Sequence, residues 1–222
     1  MAIFHVVEKF VSINGEGRYA GELAVFIRLR GCNLACSYCD TRWACLDTAE
    51  ACDMTETEIV DYVISTGVKR VTLTGGEPLL AENVIELLKA FSKKEELKLE
   101  IETNGSVNIK EFAAIDNPPA FTLDYKLKGS GMEEKMDLSN FEYLTSKDTV
   151  KFVCSDISEL DKVCQVVDKY RISDECMCLI SPVFGKIQAS DMVEYMISHN
   201  RNDIRLQLQL HKYIWDPNKR GV

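Results

Sequence analysis

The chain has 222 residues, of which 46% are hydrophobic and 27% are charged; these values suit one globular domain and exclude a disordered, collagen-like or coiled-coil protein. Acidic side chains outnumber basic ones by 35 to 26, for a formal net charge of −9, whereas a protein that binds nucleic acid or anionic membranes directly is expected to carry a basic face. Nine cysteines cannot all pair within one chain, and neither a signal-peptide pattern nor an apolar run of about 20 residues is present, so we expect a cytoplasmic protein with reduced thiols and no membrane attachment.

Short β-branched runs alternate along the chain with amphipathic helical patterns. The predicted strands are residues 24–30, 68–74, 98–103, 121–124, 149–153, 177–181 and 205–209, and the predicted helices are residues 55–66, 82–92, 158–170 and 189–199. Repeated strand–helix units predict an α/β fold with a mostly parallel sheet. A complete eight-stranded barrel takes about 250 residues. We therefore expect an incomplete TIM-type barrel or a curved open sheet, with its functional groups at the carboxyl ends of the strands.

Two of the helical patterns carry signals that can be tested against a structure. Thr55 and Glu58 form a Thr-x-x-Glu capping box at the start of the first predicted helix. The last predicted helix carries its apolar side chains at Val193, Met196 and Ile197.

Three cysteines follow the first predicted strand within one short loop. Cys32, Cys36 and Cys39 have the spacing C-x3-C-x2-C, and thiolates at this spacing can bind zinc or an iron–sulfur cluster. A closed zinc site or an electron-transfer cluster normally takes four protein ligands, whereas this loop supplies three. The spacing therefore favours a centre with one open metal position, although a zinc knuckle completed by Cys45, Cys52 or a distant histidine is an alternative.

The next two strands also end in polar, glycine-containing motifs. Residues 74–78 read Thr-Gly-Gly-Glu-Pro, in which the glycines allow close backbone approach and Glu77 can accept hydrogen bonds from an ammonium group. Residues 102–105 read Glu-Thr-Asn-Gly, which suits either a simple Asn-Gly turn or a ligand contact.

The cysteine triplet and the Gly-Gly-Glu-Pro motif, one βα unit apart, resemble the radical S-adenosylmethionine (SAM) superfamily. This resemblance implies a radical SAM core, a [4Fe–4S] cluster on Cys32, Cys36 and Cys39, and SAM bound to the remaining iron.

Further motifs resemble the 7-carboxy-7-deazaguanine synthase (QueE) family of that superfamily. They are Ser12-Ile13-Asn14-Gly15-Glu16-Gly17, Arg28, Cys39-Asp40-Thr41 and the run from Leu210 to Pro217. The resemblance implies a carbon–nitrogen lyase that converts 6-carboxy-5,6,7,8-tetrahydropterin into 7-carboxy-7-deazaguanine and ammonia, on the route to queuosine, a modified tRNA base. It covers nearly the whole chain and implies a single domain over residues 1–222, with a substrate-binding segment at 1–23 and a capping tail at 205–222.

The family resemblance assigns roles to individual residues. The implied substrate-binding residues are Ile13, Asn14, Gly15, Arg28, Thr74 and Pro217, with His211 nearby. The implied SAM-binding residues are Tyr38, Cys39, Asp40, Gly76, Glu77, Asp124, Tyr125, Lys126, Ser181, Pro182, Val183 and Phe184. Thr41 is the implied Mg²⁺ ligand, and Asp40 is the alternative. His211 can equally be a partly buried histidine beside aromatic neighbours. Chains of the resembled family end near the equivalent proline, whereas five residues follow Pro217 here, so a role for the terminal carboxylate stays open.

The same resemblance implies cofactors and partners. The cofactors are a [4Fe–4S] cluster, SAM and Mg²⁺, with flavodoxin or ferredoxin as electron donor, and the family is typically homodimeric. Two rival functions are an activase that makes a glycyl radical on a protein partner and a non-enzymatic iron–sulfur or zinc module. The first often has extra cysteine clusters, and the second requires a fourth protein ligand.

Overall fold

The computed structural model describes residues 2–222. The strands are β1 Ile3–Ile13, β2 Leu23–Leu29, β3 Cys52–Thr55, β4 Arg70–Gly75, β5 Lys98–Thr103, β6 Ala120–Tyr125, β7 Thr149–Cys154, β8 Met177–Pro182 and β9 Arg205–Leu206. The α-helices are α1 Glu56–Ser65, α2 Val84–Ser92, α3 Lys110–Ala113, α4 Glu159–Tyr170, α5 Ile172–Glu175, α6 Ala189–Ser198 and α7 His211–Ile214. Short 3-10 turns lie at Arg42–Ala44, Pro78–Leu80, Lys128–Ser130, Glu133–Lys135 and Leu138–Tyr143.

All nine strands belong to one sheet, in the order β3-β1-β2-β4-β5-β6-β7-β8-β9. From β2 to β9 every neighbouring pair is parallel, whereas β1 pairs antiparallel with both β2 and β3. Within residues 2–222 the edge strands β3 and β9 do not pair with each other, so the sheet does not close. The expected incomplete barrel of βα units is therefore confirmed.

A contact across the sheet shows that it curves. Strands β1 and β7 are five strand spacings apart in the sheet order, which corresponds to about 24 Å in a flat sheet. Glu16 lies only three residues beyond the end of β1, yet its carboxylate contacts Lys151 of β7 at 2.8 Å. The sheet is therefore concave on the face that carries these two side chains.

The convex face of the sheet holds the hydrophobic core. Apolar strand residues such as Ile27, Leu73 and Phe152 pack there with buried faces of the helices, including Val63 of α1 and Leu87 of α2. Burial of these faces is the main stabilising contribution to the fold. No helix in residues 2–222 combines the length and the apolarity that crossing a bilayer requires.

Most of the predicted elements occur near their expected boundaries, and two predictions need correction. The predicted strand 205–209 is hydrogen-bonded as β9 over Arg205–Leu206 only. In α6 the fully buried side chain is Met192, whereas Val193 is 39% and Ile197 is 71% exposed. Of the three residues predicted for the apolar face of α6, Met196 packs against the core, whereas Val193 and Ile197 do not.

Candidate active site

The carboxyl ends of the parallel strands surround a cavity of about 570 Å³ on the concave side of the sheet. Binding sites for small molecules commonly measure roughly 300–1,000 Å³. The strand side chains that face this cavity include the polar residues Arg28, Thr74, Glu102, Thr122, Asp124 and Lys151, together with the apolar Phe10, Ile13, Phe26 and Val153. Their sequence neighbours Leu73, Leu123 and Phe152 face the core, because successive side chains of a strand point to opposite faces.

The cysteine loop forms one wall of the cavity. All three thiols, of Cys32, Cys36 and Cys39, line it. Ser37 anchors the loop, because its backbone N–H donates to the Ser130 carbonyl at 3.0 Å and its hydroxyl donates to the Gly129 carbonyl at 2.7 Å. The predicted cysteine triplet is thus gathered at the end of β2.

A fourth thiol, that of Cys45, lies in the same wall. Hydrogen bonding by the Cys45 thiol, the largest effect, lowers the pKa of Cys32 and of Cys39 to about 6 against the opposing effect of burial. Burial raises the pKa of Cys36. Two of the three loop cysteines are therefore disposed to be thiolates, the form that binds metal.

The three thiols of the loop fit an iron–sulfur cluster. Within residues 2–222, no three His, Cys, Asp or Glu side chains converge closely enough to hold one metal ion. In a [4Fe–4S] cluster each cysteine binds a different iron, so its ligands are spread around the cluster. Three thiols of one loop facing one cavity fit this group.

The glycines of the Thr-Gly-Gly-Glu-Pro motif allow its loop to pack against the cysteine loop. A Cβ atom on Gly76 would collide with the Gly31 carbonyl and lie 2.7 Å from the Cβ of Cys32. The backbone N–H of Glu77 donates to the same Gly31 carbonyl at 2.8 Å. The absence of side chains here therefore brings the two motifs into direct contact.

Glu77 itself lies behind the cavity wall and is 1% exposed. Its carboxylate accepts hydrogen bonds from the backbone N–H of Asn104 at 2.6 Å, the Thr103 hydroxyl at 2.9 Å and the backbone N–H of Leu79 at 3.1 Å. Burial outweighs these bonds and raises the pKa of Glu77 to about 7. Protein donors therefore already occupy this carboxylate. The predicted contact between Glu77 and SAM stays a prediction.

Most of the implied substrate residues line the cavity. Ile13, Gly15, Arg28, Thr74 and Pro217 all line it. Asn14 does not line it. Its side chain is buried, and its Oδ1 accepts a hydrogen bond from the Thr72 hydroxyl at 2.8 Å. The Asn14 side chain therefore links the N-terminal loop to β4, while its Nδ2 has no hydrogen-bond partner within residues 2–222.

A chain of buried charges crosses the floor of the cavity. Lys151 contacts Glu16 at 2.8 Å and Asp124 at 3.6 Å, and Asp124 also contacts Lys126 at 2.8 Å. Burial raises the pKa of Glu16, but the Lys151 ammonium, aided by Gln209, outweighs it and lowers this pKa to about 2. The floor is thus ionised and mutually paired, which stabilises the polar side chains below the site.

The C-terminal segment covers one side of the cavity. Lys212 contacts Asp40 at 3.1 Å, and the Arg220 guanidinium lies 4.0 Å from the ring centroid of Trp43. Thr41, the implied Mg²⁺ ligand, also lines the cavity, and in the sequence it lies between Asp40 and Trp43.

His211 lies directly behind the N-terminal loop, where a Cβ atom on Gly15 would collide with its ring. Its ring also lines the cavity, and burial lowers its pKa.

The implied SAM residues divide into two groups. Those that line the cavity are Tyr38, Cys39, Asp40, Gly76, Asp124, Lys126, Val183 and Phe184, and those that do not are Glu77, Tyr125, Ser181 and Pro182. Tyr125 points into the core and stacks against Phe141 and Phe152. Its placement follows from strand alternation, because Asp124 faces the cavity.

Several cavity residues were missed by the sequence reasoning. They are Glu8, Phe10, Phe26, Trp43 and Lys151. Lys151 could have been found from the alternation of polar and apolar residues in its strand, because a lysine between Val150 and Phe152 must face away from the core. Glu8 lies in β1, which was not predicted as a strand.

The remaining cysteines are free thiols, as are all nine. Cys154, Cys176 and Cys178 are buried, Cys164 is half-buried beside the Tyr195 hydroxyl, and Cys52 is exposed. Cys154, Cys176 and Cys178 belong to the hydrophobic core, and Cys164 packs against it.

Comparisons with known proteins agree with this geometry. Residues 26–128, which span the cysteine loop and the Gly-Gly-Glu-Pro motif, match the model of the Radical SAM superfamily. The chain is 51% identical to the 7-carboxy-7-deazaguanine synthase of Clostridium acetobutylicum, over 99% of both chains. It is 34% identical to the enzyme of that name from Chlorobaculum tepidum, over 100% of this chain and 98% of that one. The crystal structure of QueE from Escherichia coli has a similar fold, with a TM-score of 0.70, 19% identity and 93% of each chain covered.

The fold and the cysteine loop together define a radical SAM protein, for which a [4Fe–4S] cluster and SAM are the implied cofactors. More narrowly, the chain belongs to the 7-carboxy-7-deazaguanine synthase family.

Proposed function

We propose that this protein is a lyase that converts 6-carboxy-5,6,7,8-tetrahydropterin into 7-carboxy-7-deazaguanine with release of ammonia. The observation that carries this proposal is the 51% identity to a 7-carboxy-7-deazaguanine synthase across 99% of both chains. The product and ammonia together contain all the atoms of the substrate, so the conversion needs no net oxidant or reductant. An initiating electron is needed, for which flavodoxin or ferredoxin is the proposed donor.

The cavity offers a distinct place for each reactant. Cys32, Cys36 and Cys39 would hold the cluster, and Gly76 would present its backbone to SAM across the wall. When bound, the reduced cluster and SAM would supply the radical chemistry that exchanges a hydrogen atom with the pterin. Arg28 and Thr74, which also line the cavity, would bind the substrate.

The residues of this chain contribute recognition, orientation and exclusion of water. The Arg28 guanidinium suits a carboxylate, because its N–H groups can form two parallel hydrogen bonds. Holding the substrate carboxylate at a fixed point would also fix the position of its reacting C–H bond in the cavity. The paired charges of Glu16, Lys151 and Asp124 form a floor that does not rearrange easily.

The decisive experiment is anaerobic reconstitution of the cluster, followed by incubation with SAM, a chemical reductant, Mg²⁺ and 6-carboxytetrahydropterin. We expect 7-carboxy-7-deazaguanine and ammonia in equal amounts. If 5′-deoxyadenosine forms without this product, the chain is a radical SAM enzyme with another substrate. If neither forms and the protein contains one zinc per chain, the enzyme proposal fails.

We propose Mg²⁺ as a third cofactor, held through the Thr41 hydroxyl. One neutral protein oxygen suits Mg²⁺, which keeps most of its ligands as water and substrate oxygens. The half-buried Thr41 lies at the edge of the cavity. Thr41→Ser should keep Mg²⁺-dependent product formation and Thr41→Val should lose it; equal rates for both variants at every Mg²⁺ concentration would exclude this role.

The proposal extends to organisation. We propose one domain over residues 1–222, in which segments 1–23 and 205–222 serve the substrate. A homodimer in the cytoplasm is the proposed state, and sedimentation velocity of the reconstituted protein tests it.

A further inference from the structure

Strand β1 contains a β-bulge at the point where it reaches the cavity. Val6 pairs with Leu29, whereas Glu8 pairs with Arg28, so Val7 is an extra residue without its own partner on β2. An extra residue in one strand of an antiparallel pair shifts the alternation of its side chains by one position.

This bulge changes the face on which β1 displays its side chains. Before it, Phe4 and Val6 are buried in the helical core. After it, Glu8 and Phe10 line the cavity. In a regular strand of the same sequence, Glu8 would lie on the same face as Val6 and its carboxylate would be buried in the apolar core, so the bulge is what places this carboxylate beside the site.

Glu8 makes a directed contact with Arg28. Its Oε2 accepts a hydrogen bond from Nε of Arg28 at 3.1 Å, and the two side chains are only 18% and 14% exposed. On the other side of the guanidinium, Nη1 donates to the Gly75 carbonyl at 3.5 Å. Within residues 2–222 no protein group accepts a hydrogen bond from Nη2.

A guanidinium carries five N–H donors, so a carboxylate bound at Nε leaves the Nη edge for a second carboxylate. Arginine also has many rotamers, and fixing one of them beforehand reduces the entropy lost when a ligand binds. Glu8 and Gly75 both accept hydrogen bonds from Arg28, and these two bonds orient the free edge of the guanidinium within the cavity.

We propose that Glu8 is a positioning residue, which holds Arg28 so that its Nη edge receives the carboxylate of the substrate. This inference rests on the proposed function, because the substrate must carry a carboxylate that Arg28 binds. A direct contact between Glu8 and the pterin ring is the competing role, and it is an outcome of the test below.

The test compares two unreactive probes, 6-carboxypterin and pterin, which differ in the carboxylate. Their affinities are measured by fluorescence or calorimetry on the anaerobically reconstituted protein with SAM. The variants are Glu8→Gln, which keeps an acceptor for Nε, and Glu8→Met, which has similar length and no acceptor. Glu22→Met is the matched control, because Glu22 pairs with Arg70 at 2.8 Å and lies outside the cavity.

We expect the unmodified protein to bind 6-carboxypterin more tightly than pterin. Glu8→Met should weaken 6-carboxypterin binding about tenfold, equivalent to 1.4 kcal/mol, and leave pterin binding unchanged. Glu8→Gln should recover most of the loss, and Glu22→Met should change neither affinity. In an Arg28→Ala background, Glu8→Met should add no further loss, because the two side chains act as one unit. With the natural substrate, Glu8→Met should raise KM while kcat stays near its original value.

The outcomes separate this inference from the function on which it rests. If the unmodified protein does not distinguish the probes, carboxylate recognition and the proposed substrate fail together. If the unmodified protein and Glu8→Met both prefer 6-carboxypterin over pterin by the same factor, Glu8 does not position Arg28 and only this inference fails. Equal loss of both probes in Glu8→Met and Glu8→Gln would show that Glu8 binds the ring, which also overturns it. Circular dichroism checks the fold of each variant, and Glu8→Ala replaces Glu8→Met in the same comparison if the latter does not fold.

Discussion

Glu100 illustrates how a buried residue next to the cavity can cost stability. Its carboxyl group is 3% exposed, and it accepts a hydrogen bond from the Thr122 hydroxyl. Burial, aided by the charge of Glu102, outweighs the Thr122 hydrogen bond and the nearby cations and raises the pKa of Glu100 to about 7. A carboxyl group that ionises in the unfolded chain near pH 4.5 therefore stays protonated in the folded protein up to about pH 7.

The sign of the resulting pH dependence follows from proton binding. Between pH 4.5 and about 7 the folded state binds more protons at Glu100 than the unfolded state does, so this residue lowers the free energy of unfolding as the pH rises. Glu100→Gln should remove this effect, making the variant more stable than the unmodified protein at pH 8 by roughly 3 kcal/mol, with the difference nearly vanishing at about pH 4. Urea unfolding at both pH values measures this, and Glu96→Gln, at an exposed position, is the control. An equal difference at both pH values would contradict the assignment.

The cysteine loop gives a second prediction at the scale of residues. Replacing Cys36 by alanine removes one of three thiols that face the cavity, so the reconstituted protein should lose its iron–sulfur absorbance and most of its iron. Cys52→Ala removes an exposed thiol elsewhere and should leave the spectrum unchanged. A full cluster in Cys36→Ala would mean that Cys45 or another side chain serves as ligand.

At the scale of residues, the sequence predicted the motifs better than it predicted the distant residues that contact them. The spacing of Cys32, Cys36 and Cys39 was enough to place them together, because a short loop limits how far apart they can lie. The partners of these motifs come from distant parts of the chain. Glu16 and Lys151 are 135 positions apart, and nothing local in either segment indicates that they form a pair.

At the scale of elements, helix α1 shows how a local signal fixes a boundary. The Thr55 hydroxyl accepts from the backbone N–H of Glu58 at 3.2 Å, and the Glu58 carboxylate accepts from the backbone N–H of Thr55 at 2.8 Å. Both bonds of the predicted capping box are therefore present, and the helix begins at the next residue, Glu56.

Loss of this cap should cost a defined amount of stability. Thr55→Ala should lower the free energy of unfolding by about 1 kcal/mol, because the backbone N–H of Glu58 loses its acceptor. Thr55→Ser keeps the hydroxyl and should change stability much less. Urea unfolding at pH 7 measures both variants; equal stabilities would show that the cap contributes nothing here.

Strand β1 was missed because its pattern changes along its length. The bulge at Val7 interrupts the two-residue period, so neither face of the eleven residues reads as continuously apolar. The short β9 was overestimated for a related reason. Its continuation turns its side chains to the N-terminal loop, where Gln207 and Gln209 bond with Gly17 and Glu16. In both cases a long-range contact overrides the local periodicity.

At the scale of the whole molecule, the cavity and the core are separate structures on opposite faces of one sheet. Residues 216–222 belong to the cavity alone, because they line it or are exposed and none is part of the hydrophobic core. Deleting them should change the free energy of unfolding by less than about 0.5 kcal/mol.

The same deletion should weaken binding of 6-carboxypterin, since it opens one side of the site. Arg220→Ala, which removes only the contact with Trp43, should give a smaller loss in the same direction. Urea unfolding and ligand titration measure the two effects separately. A large drop in stability with unchanged affinity would mean that the segment supports the fold and not the site.

The bonds between the N-terminal loop and residues 207–210 also constrain when the site can form during synthesis. Gly17 exchanges two hydrogen bonds with the side chain of Gln207, at 2.6 and 2.8 Å across 190 positions, and Leu210 donates to the Gly15 carbonyl at 2.9 Å. At roughly 5–20 residues per second, a ribosome needs about 10–40 s to make the intervening chain. In that interval the helices can already cover the apolar, convex face of the sheet, whereas the concave face stays exposed to water until residues 207–210 are made. The polar side chains of that face suit such a delay, because an unfinished cavity lined by charges offers little for another nascent chain to aggregate on.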